Sequence, residues 1–244
     1  MNFYSIQNSL SQKILGHYPQ VKSIHYNCDV WDEPKFIEHI HFEKVTFEPI
    51  IANAILNKKS KQTDLISTLS AIGFSKKLLL SEKLKQILQS NRKTDMQFFK
   101  SPIIQNNSFV EDYWILNLFK FNMEFIDFTK SEISYSRKAD NYSTSYSTIK
   151  EYLKIDNKDQ FEIKKSEALK RQETISIEKL SLMKENVDED FFMINNVFGG
   201  LYYVSENLKK EIEDAACTGI EFQPIELSLN EWLNVEREKI YGKS

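Results

Sequence analysis

The sequence predicts an α+β fold in which antiparallel strand clusters are separate from amphipathic helices, and three observations support this prediction. First, a strand–helix–strand pattern occurs twice, over about 78–100 and about 202–225. Second, strand-like runs cluster along the chain instead of alternating regularly with helices, which favours α+β over a doubly wound fold. Third, 6 Gly and 5 Pro in 244 residues are too few for a loop-dominated or fibrous protein.

The repeat is imperfect in sequence but consistent in design. In each copy a serine, Ser81 or Ser205, stands where a helix N-cap belongs, since its hydroxyl can accept a backbone N–H of the first turn. In the second copy Gly219 suits the helix exit and Pro224 ends the last strand. At one constant offset the two copies share six identities: Ser81/Ser205, Glu82/Glu206, Leu84/Leu208, Lys85/Lys209, Thr94/Thr218 and Phe98/Phe222.

Three further strand regions are predicted in the first half of the chain. Asn2–Gln7 has the alternation of an opening strand. Phe42–Ile50 also alternates, and Pro49 should end its ladder or place it at a sheet edge. The aromatic and β-branched run Tyr113–Tyr135 predicts two or three consecutive antiparallel strands.

The second half is predicted to be more mixed. Lys150–Lys184 combines both signs of charge with few apolar residues, so we expect exposed helix and connector. Phe191–Ile194 reads as a buried strand and Gly199-Gly200 as part of a hairpin turn. Ser228–Glu231 matches a capping box. It predicts a C-terminal helix that docks through Leu229, Trp232 and Leu233.

The simplest domain organisation is one α+β domain over residues 1–244. An alternative divides the chain into two lobes, about 1–136 and 150–244, joined by an exposed polar loop at 137–149. The tract Asn141–Thr148 supports the loop, because its low-complexity Ser, Thr and Tyr composition lacks core residues.

Composition excludes several classes of function. A net charge of −3 and a pI near 5.9 provide no cation excess for phosphates, so nucleic-acid binding is not favoured. Cys28 and Cys217 are too far apart and too few for a disulfide framework, which suits a reducing compartment. We expect a cytoplasmic protein, since no secretory signal and no run of about 18–20 apolar residues is visible.

Catalytic and metal-binding patterns are incomplete, so we predict no catalytic residue, no metal and no cofactor. His39 and His41 could share a metal on a strand, but zinc sites need three or four ligands at recognisable spacing. Gly199-Gly200 lacks the Lys and Ser or Thr of a phosphate loop. The spacing of Ser147–Lys150 lacks the companion motifs of acyl-transfer enzymes.

The densest acidic cluster precedes an apolar pair of phenylalanines and comprises Glu185, Asp188, Glu189 and Asp190. Two interpretations remain open. The cluster is a solvated loop, or it is a contact surface for a basic partner, because acidic groups accelerate encounter with such partners.

Tyr202–Ile225 resembles the closing segment of the immunity MXAN-type proteins, a bacterial family from polymorphic toxin systems that was once a domain of unknown function. The shared features are a Val-Ser-Glu junction, an acidic helix, a Thr-Gly turn and a Glu-Phe-x-Pro strand. Here they are Val204–Glu206, Leu208–Asp214, Thr218-Gly219 and Glu221–Pro224. Asp190–Phe192, Phe198–Gly200 and Phe3-Tyr4 also resemble the family, whereas the middle of the chain resembles it little.

The resemblance implies a non-enzymatic cytoplasmic protein that binds and neutralises a cognate toxin domain, without nucleic acid or membrane as partner. The motif residues have structural roles and carry over as architecture: Ser81, Ser205, Glu206, Leu208, Thr218, Gly219, Phe222 and Pro224. Two alternatives remain. One is a non-catalytic adaptor or regulatory binding protein, and the other is an enzyme whose active site joins residues distant in sequence.

Overall fold

The computed structural model describes residues 1–138 and 148–243. The strands are β1 Phe3–Asn8, β2 Val21–His25, β3 Asn53–Leu56, β4 Leu65–Ile66, β5 Leu78–Ser81, β6 Met96–Lys100, β7 Ile103–Gln105, β8 Ser108–Val110, β9 Tyr113–Leu118, β10 Glu132–Lys138, β11 Thr148–Leu153, β12 Thr174–Lys179, β13 Phe191–Val197, β14 Gly200–Ser205 and β15 Ile220–Pro224. The α-helices are α1 Gln12–Leu15, α2 Glu82–Asn91, α3 Lys158–Lys170, α4 Glu206–Asp214, α5 Leu229–Glu231 and α6 Arg237–Tyr241. A π-helical turn at Trp232–Glu236 joins α5 to α6, and we call this continuous stretch the C-terminal helix.

The strands form one seven-stranded sheet and two four-stranded sheets. The large sheet has the order β11-β10-β12-β13-β14-β1-β15, and the small sheets have the orders β2-β3-β7-β8 and β4-β5-β9-β6. Among the described strand pairs, β12 with β13 and β3 with β7 are parallel and the others are antiparallel. The predicted α+β class with antiparallel strand clusters is therefore confirmed.

The repeat exists as two matching units, β5–α2–β6 and β14–α4–β15. In each unit a third strand lies between the outer two: β9 in the first unit and β1 in the second. The registers agree, since Phe98 lies opposite Leu116 and its counterpart Phe222 lies opposite Ile6. The six identities therefore mark equivalent positions in space.

The two units pack against each other through reciprocal contacts. The ammonium of Lys83 on α2 donates to the carbonyls at the end of α4, 3.2 Å from that of Ala216. The backbone N–H of Thr218 donates to Asp64 at 2.8 Å, and Arg92 donates to the Phe191 carbonyl at 2.8 Å. Each helix end thus contacts the beginning of the strand that flanks the other unit, β4 or β13. Apolar side chains from both units form one core cluster that includes Leu84, Leu88, Leu208, Ile212 and Phe222.

The prediction of a strand over Phe42–Ile50 is wrong. Phe42 has a left-handed φ of 54°, which interrupts an extended chain. The side chain of Gln97 hydrogen-bonds both the N–H and the carbonyl of Val45 at 2.8 Å, in the way a neighbouring strand would. Ile50 forms an isolated bridge to Phe36. The alternation reflects a loop that is anchored by Val45.

Two other assignments are corrected. Tyr113–Tyr135 does not form consecutive paired strands, because β9 and β10 belong to different sheets and a 3₁₀ turn at Met123–Phe125 separates them. Lys150–Lys184 contains α3 as expected, but it also contains β12, whose Ile175 and Ile177 are buried in the core. Tertiary burial decides β12, which composition alone placed in exposed helix and connector.

The C-terminal helix begins with the predicted capping box between Ser228 and Glu231. Trp232 is buried as predicted, whereas Leu233 is 45% exposed, so its predicted docking is wrong. The π-helical turn begins at Trp232, so the regular helical spacing on which the prediction rests does not apply here. No helix of the described ranges is long and apolar enough to cross a membrane.

Most of the predicted loop 137–149 lies outside the described residues, as does Ser147. At its borders β10 and β11 pair antiparallel, with Arg137 opposite Ile149. The division into lobes 1–136 and 150–244 stays a prediction.

Candidate functional site

The two capping serines have equivalent surroundings. The hydroxyls of Ser81 and Ser205 each accept a hydrogen bond at 3.2 Å, from the N–H of Leu84 and of Leu208 respectively. Each hydroxyl also donates to an aspartate before the strand that flanks the unit: Ser81 to Asp64 before β4 at 2.7 Å, and Ser205 to Asp190 before β13. These bonds join helix start and sheet, so the structural role expected of both serines agrees with their surroundings.

The other motif residues also lie at positions of structural importance. Leu208 and Phe222 are buried in the core that the units share, and Pro224 lies opposite Tyr4 in the sheet. Gly219 has φ 84°, and a Cβ there would lie 2.2 Å from the Leu65 carbonyl oxygen. The motif therefore describes how the second unit folds and meets the first.

A cation over aromatic rings is repeated in both units. The ammonium of Lys85 lies 3.9 Å from the centre of the Trp114 ring and 5.9 Å from that of Phe98. The equivalent Lys209 lies 5.2 Å from the centre of the Tyr4 ring and 5.6 Å from that of Phe222. The attraction of a cation to a ring face gives the shared Lys and Phe the same role in both units.

The outer edge of β15 is closed by the C-terminal helix. The backbone N–H of Phe222 points away from β1 and donates to the Tyr241 hydroxyl at 2.9 Å. The buried guanidinium of Arg237 binds the buried carboxylate of Glu221 through two bonds of 2.6 and 2.7 Å. Burial raises the pKa of Tyr241 to about 12, so its hydroxyl stays protonated at neutral pH.

In the described part of the chain the equivalent edge of β6 is open, and a cleft of about 440 Å³ lies between this strand and α2. The helix contributes Lys85 and Gln89 to the cleft, the two residues after it contribute Arg92 and Lys93, and the sheet contributes Met96–Phe98 with Trp114. Residues Met96–Phe99 are only partly buried, whereas the corresponding residues of β15 are buried. We call this feature the β6 cleft.

Arg92 forms the inner end of the β6 cleft and is 2% exposed. Its Nε donates to the Thr94 carbonyl at 3.0 Å and one terminal nitrogen donates to the Phe191 carbonyl at 2.8 Å. The other terminal nitrogen makes no hydrogen bond, and the nearest carboxylate, that of Asp95, is 3.7 Å away. Burial lowers the pKa of Arg92, and the carboxylates of Glu189 and Asp95 oppose that shift. The side chain is a fixed cation with one free donor.

The four acidic candidates have different surroundings. Glu185 and Asp188 are exposed to solvent. Glu189 is partly buried, with its carboxylate 3.9 Å from Arg92. Burial raises the pKa of Glu189, and Arg92 opposes the shift. Asp190 accepts the hydroxyl of Ser205. Glu185 and Asp188 are therefore the two that are available for a partner, whereas Glu189 and Asp190 also serve the fold.

A second exposed feature is the loop around Trp31, whose side chain is 76% exposed. The carboxylate of Asp29 accepts the N–H of Trp31 at 3.0 Å, and His39 lies 2.9 Å from the Val30 carbonyl. These bonds fix the backbone at Trp31, next to the exposed Asp32. Exposed aromatic residues of this kind are frequent anchors of protein interfaces.

The structure does not bring the histidines and cysteines together. His39 belongs to a short 3₁₀ turn and not to a strand, and the described part of the chain contains no group of three or more metal-ligating side chains. Burial raises the pKa of Cys217 to about 11, so the thiol is protonated at neutral pH and is a weak nucleophile.

The sequence did not indicate the β6 cleft, because Trp114 meets α2 only after β9 pairs with β5 and β6. The only hint of the cleft in the sequence was that the two repeat copies carry the same lysine, Lys85 and Lys209. Among curated proteins, none matches the chain. The segment Tyr202–Ile225 lies beyond the part of the chain that a family model covers. That model, of the immunity protein family (Imm11), matches residues 2–161, more than half of the 244 residues, and the chain belongs to this family.

Proposed function

We propose that this protein is a cytoplasmic immunity protein that binds a cognate bacterial toxin domain and neutralises it by protein–protein contact, without catalysis. The family match over residues 2–161 carries the proposal. The matched part includes β1 and the whole first unit with its β6 cleft, so it contains exposed surface as well as core.

Neutralisation by contact needs surface and not reactive groups. A stable complex buries about 1,200–2,000 Å² and draws most of its affinity from a few aromatic or charged anchors. Trp31 and the pair Glu185 and Asp188 are exposed residues of these types. With a net charge of −3, acidic groups would accelerate association with a basic toxin.

Co-expression with the C-terminal domain of the toxin encoded beside the gene tests the proposal. Cells that express the toxin domain alone should die, and cells that also express this protein should survive and yield a stable complex on purification. An unrelated soluble protein at equal expression is the control. Death despite soluble expression of this protein would contradict neutralisation and favour the adaptor or enzyme alternatives.

A further inference from the structure

We propose that the edge of β6 and the β6 cleft receive an extended acidic segment of the partner toxin, which adds to β6 as a further antiparallel or parallel strand. This docking proposal rests on the proposed function. It identifies the part of the surface that holds the toxin and the chemistry of the segment bound there.

The first argument is the comparison of the two units. Both have the same three-stranded arrangement, and their outermost strands β6 and β15 are equivalent in register. The C-terminal helix closes the β15 edge, where Tyr241 accepts the N–H of Phe222. Within residues 1–138 and 148–243, no equivalent element covers the cleft beside Phe98. The C-terminal helix covers the β15 edge, whereas the exposed β6 edge can pair with a strand of a partner protein.

The second argument is the direction of the backbone groups. Hydrogen bonds from Phe119 to Asp95 and from Ser101 to Tyr113 fix the alternation of the β6–β9 ladder. The N–H and carbonyl groups of Met96, Phe98 and Lys100 therefore point away from β9. An incoming extended chain can pair with these groups, as in recognition by strand addition.

The third argument is charge. Lys85, Arg92 and Lys93 line the cleft, and none of its described lining residues is a carboxylate. Glu82 already pairs with Lys85 at 3.1 Å and Asp95 lies 3.7 Å from Arg92, so among the described residues Lys93 supplies the uncompensated charge of the cleft. The free terminal nitrogen of Arg92 is a donor that an inserted carboxylate could satisfy. Lys93 is exposed at the rim, where a charge mainly affects the rate of association. An acidic side chain on the added strand would meet both groups.

The first experiment measures the affinity of a catalytically inactivated toxin domain for two charge-reversed variants. Lys93→Glu alters the rim of the cleft. Lys170→Glu is the matched control, because Lys170 is also an exposed lysine near a helix C-terminus and the net charge changes equally. We expect Lys93→Glu to weaken binding about tenfold and Lys170→Glu less than about twofold. Equal effects of both variants, or none, would overturn the docking proposal.

The second experiment tests strand addition itself. Phe98→Ala removes the aromatic ring and keeps the backbone N–H. Phe98→Pro removes both, and it leaves the hydrogen bonds to β9 intact because this N–H points away from β9. The difference in affinity between the two variants therefore measures the contribution of the Phe98 N–H to binding. We expect Phe98→Pro to bind about three- to tenfold more weakly than Phe98→Ala. Hydrogen exchange on the wild-type complex should show slowed exchange at Met96, Phe98 and Lys100. Unchanged exchange there would refute docking, even if the proline variant folds poorly.

The remaining outcomes separate the two proposals. If wild-type protein neither binds the toxin domain nor rescues cells, the proposed function fails and the docking proposal fails with it. If wild-type protein binds but the cleft variants bind equally well, only the docking proposal fails. A wild-type dimer that Phe98→Pro dissociates would place a second copy of this chain at the edge and would also overturn the proposal.

Discussion

Replacing Ser205 by alanine removes a hydroxyl that makes two bonds where β14 joins α4. The hydroxyl accepts the N–H of Leu208 at 3.2 Å and donates to Asp190, and Ser205 is fully buried. Loss of a serine cap costs about 1 kcal/mol. Leaving the partly buried carboxylate of Asp190 without its donor adds about 1 kcal/mol. We therefore expect Ser205→Ala to lower the free energy of unfolding by about 2 kcal/mol.

Urea unfolding at equilibrium measures this change, with Ser228→Ala and Ser81→Ala as graded controls. Ser228 caps the exposed beginning of the C-terminal helix, so its replacement should cost about 1 kcal/mol. Ser81→Ala should fall between the other two variants, because Asp64 keeps its bond to Thr218 and its ion pair with Lys83 at 3.2 Å. For a chain of this size, 2 kcal/mol corresponds to a decrease in Tm of roughly 4–8 °C.

The reasoning fails if Ser205→Ala changes stability by less than about 0.5 kcal/mol, since a buried cap with two partners cannot be neutral. Affinity of the folded variant for the toxin domain should be unchanged. Weaker binding with an unaltered Tm would show that Ser205 contacts the partner, and its structural assignment would be wrong.

Three more outcomes are expected. Arg237→Ala leaves the buried carboxylate of Glu221 without its counter-charge, held only by hydrogen bonds from Ser9 and Leu10, and should cost about 3 kcal/mol in urea unfolding. A cost below about 1 kcal/mol would mean that these bonds and water compensate for the lost pair. Charge reversal of Glu185 and Asp188 should slow association with a basic toxin at low salt and change stability by less than about 0.5 kcal/mol; an unchanged association rate would remove both from the interface. In a Cys28→Ser background, alkylation of Cys217 should be slow at pH 8 and accelerate toward pH 11, because the thiolate is the reactive form and burial raises the pKa of Cys217 to about 11. Rapid alkylation at pH 8 would contradict the burial of this thiol.

Local patterns predicted the repeat because its determinants are local. A capping serine, an apolar helix stripe and a glycine at the helix exit each act within a few residues of sequence. The same patterns failed at Phe42–Ile50, where Gln97 takes the backbone bonds of Val45 from more than fifty residues away. They also could not assign β9 and β10 to different sheets, since alternation along a strand does not identify its neighbours.

The candidate site was less predictable than the fold because it depends on what covers each edge. Lys85 and Lys209 are identical in sequence, but only the structure shows that each lies over an aromatic ring from a strand outside its own repeat, Trp114 or Tyr4. Nothing local distinguishes Phe98 from Phe222, yet one borders an open cleft and the other meets Tyr241. The difference comes from the C-terminal helix, which covers one unit and not the other.

The matched residues 2–161 do not contain the sheet partners of their own first strand. β1 pairs with β14 on one side and with β15 on the other, and both partners follow residue 161. The motif at Tyr202–Ile225 supplies these partners, and Asp64 and Arg92 hold the two units together across the matched boundary. The family match and the motif resemblance therefore describe complementary parts of one arrangement. The second unit completes the sheet around β1, and our docking proposal assigns recognition of the partner to the exposed edge of the first unit.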